Sequence, residues 1–269
     1  IVNQKLKALP DSVFAPKHLF RLELSNNQLS AIPSSIEHAI ELFYLGAEQN
    51  NLTEFPIVAT MPQMVHLFLG RNQIKTLPSN IDALLPIAQQ LVLAFNTIET
   101  LPQSLGKMSS LKVLLLHQNR ISRLPESMCD LSKLGQLFAW NNSLTVVPSC
   151  MDKTNIDFFD IRNNKIKAFE PSVLVRAKGM TYFSAAGNPI CTANPASFCG
   201  GTCSANCPSV WRADGCCSDG VYLACKDNNI GKSFPKLKIK PEVLMQLRNE
   251  NTECFTEECN YDDSDCFFK

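Results

Sequence analysis

Leu19-Phe20-Arg21-Leu22-Glu23-Leu24-Ser25-Asn26-Asn27-Gln28-Leu29-Ser30-Ala31-Ile32-Pro33 and Leu111-Lys112-Val113-Leu114-Leu115-Leu116-His117-Gln118-Asn119-Arg120-Ile121-Ser122-Arg123-Leu124-Pro125 read in one frame, LxxLxLxxNxLxxLP, with Ile32 and Ile121 each standing in for a Leu. The Asn of that frame recurs as Asn27, Asn50, Asn72, Asn96, Asn119, Asn142, Asn164 and Asn188, in steps of 23, 22, 24, 23, 23, 22 and 24 residues. The Pro recurs as Pro33, Pro56, Pro78, Pro102, Pro125 and Pro148. Self-similarity at such a period marks a chain built by stacking one small unit on the next. The Leu-x-Leu alternation is a short strand with one face inward. One such strand cannot bury its own apolar face, so neighbours must stack. The Pro after the last apolar position ends strand pairing and starts the return segment. Eight strands about 4.8 Å apart give a parallel sheet on the order of 35 Å along the stack.

This region, roughly residues 1–190, resembles the leucine-rich repeat family in its short 23-residue form. The resemblance implies an α/β solenoid with a parallel β-sheet on its concave face. It also implies that the recurring Asn side chains bond the backbone of adjacent turns. An apolar residue there would leave buried backbone groups unpaired. Leu6, Leu9 and Pro10 read as the back half of a repeat whose strand is missing. A solenoid needs capped ends, so the native protein is expected to extend further toward the N-terminus. Gly187-Asn188-Pro189-Ile190-Cys191 resembles the start of the cysteine-bearing C-terminal cap of extracellular members, with Ile190 where that cap usually has an aromatic residue. The expected division is a solenoid over 1–190 followed by a small disulfide-rich domain over 191–269.

The cysteines support that division. Of twelve, only Cys129 and Cys150 precede the tail, which holds Cys191, Cys199, Cys203, Cys207, Cys216, Cys217, Cys225, Cys254, Cys259 and Cys266. Such density belongs to small disulfide scaffolds outside the reducing cytosol, and an even count suits complete pairing. The spacing of Cys199, Cys203 and Cys207 matches no paired CxxC, and the tail has no His, so disulfides are favoured over zinc. Cys129 and Cys150 follow the prolines of consecutive repeats, so a staple between adjacent turns is expected. The alternative is two buried thiols acting as small hydrophobes. Asn51-Leu52-Thr53 and Asn141-Asn142-Ser143 are sequons for N-linked glycans and, with the cysteines, favour an export route; chance occurrence of so short a pattern is the other reading.

The residue between the two strand leucines points out of the concave face. Down the stack that column reads Glu23, Gly46, Phe68, Val92, Leu115, Phe138, Asp160 and Ser184, and neighbouring columns add Tyr44, His66, Phe95, His117 and Trp140. A solvated strand face normally carries polar residues. A contiguous apolar stripe with aromatic side chains points to a protein or peptide contact, with Tyr44, His66, Phe68, Val92, Phe95, Leu115, His117, Phe138 and Trp140 as the ligand-binding set. The other reading is that further chain covers the stripe. His18, His38, His66 and His117 read as ordinary surface residues. A glycan on Asn141 would stand beside Trp140.

Near the C-terminus, Cys254, Cys259 and Cys266 are spaced C-x4-C-x6-C, with Asp262 and Asp265 in the last gap. This resembles the second half of a Notch-type repeat, in which the two aspartates ligate one Ca²⁺. Asp262 and Asp265 are therefore the expected calcium ligands, hard carboxylates suited to that ion. Asp263 stands where the motif has Gly, Phe255 where Asn commonly follows the cysteine, and Glu250 where a cysteine is expected. An acidic surface loop is the other reading. Lys232, Lys236, Lys238 and Lys240 form a basic strip read as a solvated face, ahead of a short amphipathic helix over 241–248.

With 25 Lys+Arg, 25 Asp+Glu and 45% hydrophobic residues among 269, the chain can bury a large core but lacks the basic surface of a nucleic-acid binder. No apolar run is long enough to span a bilayer. GxSxG, HExxH and phosphate-cradling glycine motifs are all missing, which argues against an enzyme. The expected function is an extracellular or cell-surface recognition module, a ligand-binding or adhesion ectodomain. A structural subunit of an extracellular assembly, cell wall or filament, built from copies of itself or other subunits, is the alternative. A secreted inhibitor is a weaker third reading.

Overall fold

The computed structural model describes residues 1–193 apart from Lys17, Val58 and Lys178. The tail cysteines from Cys199 onward, Asp262, Asp265, the basic strip and the 241–248 helix lie outside the described residues. Eight three-residue strands follow one another: β1 (Arg21–Glu23), β2 (Tyr44–Gly46), β3 (His66–Phe68), β4 (Gln90–Val92), β5 (Val113–Leu115), β6 (Gln136–Phe138), β7 (Phe158–Asp160) and β8 (Tyr182–Ser184). They form one sheet in sequence order. From β1 to β7 every pairing is parallel and in register, so Leu22, Leu45, Leu67, Leu91, Leu114, Leu137 and Phe159 fall in a single row. That row faces the core, and none of its members is more than 6% exposed. The repeat is thus a leucine-rich solenoid turn carrying one strand of a parallel sheet.

The recurring spacing of Pro has a local cause. Pro10, Pro33, Pro102, Pro125 and Pro148 each precede a 3₁₀ turn, over Asp11–Phe14, Ser34–His38, Gln103–Lys107, Glu126–Asp130 and Ser149–Lys153. The carbonyl of each proline accepts the N–H three residues on, at 3.0–3.1 Å. A ring that fixes φ and removes a donor is well suited to leaving the sheet and opening such a turn. Two other return segments carry helices, α1 (Ile81–Leu84) and α2 (Pro171–Ala177), and α3 (Pro189–Ala193) follows β8.

Turns are held together by the asparagine row. Asn50, Asn72, Asn96, Asn119, Asn142 and Asn164 each accept a backbone N–H of the preceding repeat at Oδ1, 2.9–3.0 Å away. Their Nδ2 atoms donate to a carbonyl of the preceding repeat at 2.9–3.0 Å as well as to their own turn. The row extends to residues 1–10, because Asn27 Oδ1 accepts from the N–H of Gln4 and of Leu6. Just before each row residue the chain turns through left-handed backbone, at Asn26, Gln49, Arg71, Phe95, Gln118, Asn141 and Asn163 with φ of 51–59°, and at Gly187 with φ of 70°.

On the return side, Cys129 and Cys150 are joined by a disulfide, with Cα atoms 5.9 Å apart. Cys191 is also disulfide-bonded. The same side contains one close approach of backbones. A Cβ on Gly106 would run into the carbonyl group of Ser127 in the next turn. Backbone cannot rotate aside, so Gly106→Ala is expected to lower stability by about 2 kcal/mol, as overpacked cores do, read as a reduced urea midpoint. The chain divides into two units, Ile1–Phe183 and Ser184–Lys269. No helix among the described residues is long and apolar enough to cross a membrane.

Candidate functional site

Three columns of side chains leave the sheet on the side away from the leucine row. The first residue of each strand gives Arg21, Tyr44, His66, Gln90, Val113, Gln136, Phe158 and Tyr182; the third gives Glu23, Gly46, Phe68, Val92, Leu115, Phe138, Asp160 and Ser184. A third column, two residues before each row asparagine, includes Glu48, Ala94, His117, Trp140 and Arg162, and Phe95 and Arg71 stand one residue further on. Eight of the nine residues expected to bind ligand fall in these columns, and the ninth, Phe95, is next to the third. Parallel register is what brings residues more than twenty positions apart within one side chain of each other.

Their contacts form two groups. Toward β1, the Tyr44 ring lies 5.1 Å from Phe68 and 6.4 Å from His66, and the Arg21 guanidinium sits 3.5 Å from the Tyr44 centroid. Tyr44 donates its hydroxyl hydrogen to Glu23 at 2.9 Å, across Gly46, where a Cβ would collide with that carboxylate. His66 Nδ1 is bonded to Gln90 Oε1 at 2.8 Å. Toward β7, His117 and Trp140 stack with centroids 4.5 Å apart and planes 10° from parallel, and Phe95 meets both edge-on at 5.6 and 6.4 Å. Arg71 lies 4.3 Å over Phe95, a cation–π contact worth about 0.5–2 kcal/mol. Arg162 grips Asp160 through Nε at 2.9 Å and Nη2 at 2.7 Å, with both side chains buried. The stripe between them, Phe68, Val92, Leu115 and Phe138, is wholly apolar.

One expectation is corrected. The stripe is not open to solvent: Phe68 is 1% exposed, Val92 and Leu115 0%, and Phe138 2%. Tyr44, His117 and Trp140 are buried too, while His66 and Phe95 are half-buried. His117 is therefore no surface histidine. Alternation along a strand sets the direction of a side chain, whereas exposure depends on everything packed over that direction, which the strand does not encode. Sequence reasoning also passed over Arg21, Arg71, Gln90, Gln136, Arg162 and Tyr182. The same columns that located Trp140 would have found them, had charged residues been counted alongside apolar ones.

Among the described residues no group of three His, Cys, Asp or Glu side chains converges as a metal site would. What this side of the sheet presents is a buried apolar row with half-buried His66, Arg71, Phe95 and Gln136 above it.

Residues 88–144 and 18–39 match family descriptions of the leucine-rich repeat. The chain carries leucine-rich repeats. Among solved structures, a leucine-rich repeat protein of Leptospira interrogans is 26% identical with a TM-score of 0.65, the match covering 71% of this chain and 51% of that one. An internalin, InlF of Listeria monocytogenes, is 25% identical with a TM-score of 0.56, covering 66% and 51%. A plant peptide hormone receptor, RGFR1 in complex with RGF2, shares the fold at 21% identity and a TM-score of 0.57, covering 67% and 30%. This leucine-rich repeat chain thus spans about half the length of the two bacterial proteins and less than a third of the plant receptor. A search of curated proteins gave no match to the sequence.

Proposed function

We propose that the chain is an extracellular protein-recognition module that takes a protein or peptide ligand on the concave, strand-bearing face of its solenoid. The observation that carries this reading is the half-buried set His66, Arg71, Phe95 and Gln136 on the strand-bearing face, with Phe95 packed edge-on against the buried His117–Trp140 stack and Arg71 over its ring. Aromatic and arginine anchors at the centre of a contact supply most of its affinity. These four residues are where a ligand first meets the face. The plant receptor that shares the fold is described in complex with RGF2, which is consistent with this use of the architecture. The disulfide between Cys129 and Cys150 supports an oxidising compartment.

The test is selection of a displayed random-peptide library on the secreted, full chain. Selected peptides are expected to be rich in apolar residues and to bind Trp140→Ala and Phe95→Ala at least about 30-fold more weakly, the loss typical of a hot spot. Val146→Ser and Val175→Ser, exposed and outside the columns, are the controls and leave binding unchanged. Peptides that bind all four variants alike would place recognition elsewhere. Light scattering on the same protein addresses the assembly-subunit alternative, because obligate polymers would replace a monomer with a reversible partner.

A further inference from the structure

Asn51 stands outside the columns. It follows the row residue Asn50 directly, and its N–H donates to the Leu29 carbonyl at 2.9 Å. Its side chain is exposed and makes no hydrogen bond with the described residues. Leu52 is buried at 1% exposure, and its N–H is held by Asn72 Oδ1 at 3.0 Å. Thr53 is again exposed. The tripeptide Asn51-Leu52-Thr53 is therefore pinned by its middle residue and offers its amide and its hydroxyl to solvent. The equivalent positions in the flanking repeats, Gln28 and Gln73, are exposed and polar, so this flank is solvated on both sides. The second sequon is placed differently. Asn141 is half-buried, sits in left-handed backbone with φ of 51°, and directly follows Trp140.

We infer that Asn51 is an acceptor of an N-linked oligosaccharide and that the glycan covers the flank bearing Gln28, Asn51 and Gln73. The inference rests on the export part of the functional reading, which the Cys129–Cys150 bond supports independently of any ligand. The donor is an oligosaccharide carried on a lipid pyrophosphate. Asn51 Nδ2 attacks the anomeric carbon, an N–C bond forms, and the carbon–oxygen bond to the pyrophosphate breaks. The amide loses one proton and the lipid pyrophosphate leaves. Asn-x-Thr is the acceptor pattern this transfer reads, and the fold leaves the bulky product room without displacing a core or row residue. A glycan there closes this flank to protein partners and leaves the strand columns as the available contact.

The full chain, secreted from eukaryotic cells behind a cleavable leader, tests this. Enzymatic removal of N-glycans in heavy-oxygen water converts a glycan-bearing Asn to labelled Asp. Peptide mass spectrometry is expected to find the label at Asn51 in most molecules, and Asn51→Gln is expected to lose the mass of one glycan while still being secreted. Secreted chain with unlabelled Asn51 would overturn the proposal, including the case in which Asn141 alone is labelled. Neither outcome depends on whether a peptide binds the strand face, so failure of the recognition reading would be seen separately.

Discussion

Asn119→Ala is expected to lower the stability of the solenoid by about 4 kcal/mol, combining one orphaned backbone donor with the loss of bonds to carbonyls on two turns. Asn119 Oδ1 accepts the Ile98 N–H at 2.9 Å, and Nδ2 donates to Leu93 at 2.9 Å and Leu116 at 3.0 Å. The row residue is 9% exposed, so water cannot readily take its place. Alanine leaves the Ile98 N–H without an acceptor at the junction of two turns. The comparison is Arg120→Ala, an exposed neighbour, which should change stability by no more than about 0.5 kcal/mol. Urea unfolding followed by circular dichroism reads both. Equal midpoints for the two variants would show that the asparagine row contributes no stability and that the stack rests on leucine packing alone.

The second large effect concerns the staple. Cys129→Ser with Cys150→Ser is expected to destabilise the chain by about 3 kcal/mol, the chain-entropy value for a loop of this length, the cysteines being 21 residues apart. The loss should be local. In a solenoid each turn contacts only its neighbours, so stability is a sum of turn and interface contributions. Hydrogen exchange should rise over Glu126–Asp130 and Ser149–Lys153, the two turns the bond joins, while amides of β1 and β2 keep their protection. Uniform loss of protection would mean that the stack unfolds as one cooperative block.

These two predictions also separate what was legible in advance. The spacing of Asn27 through Asn188 located all eight strands to within a residue, because a near-constant period repeats one pattern of strand, exit and return segment in every turn. The left-handed corners could have been anticipated at Asn26, Asn141, Asn163 and Gly187, residues that tolerate φ above zero, but not at Arg71 and Phe95, where the repeat imposes it. The outward columns were legible from alternation, and with them the place of Phe68, Leu115 and Trp140.

The sequence by itself determined the stack, its register and the side on which each of these side chains leaves its strand, since all three follow from period and local backbone. Only the tertiary structure decided that Val92 and Leu115 are shut away from water, that His117 lies flat on Trp140, and that Arg162 closes on Asp160. Burial and pairing are properties of neighbours brought together from distant turns, and no window of one chain segment contains them.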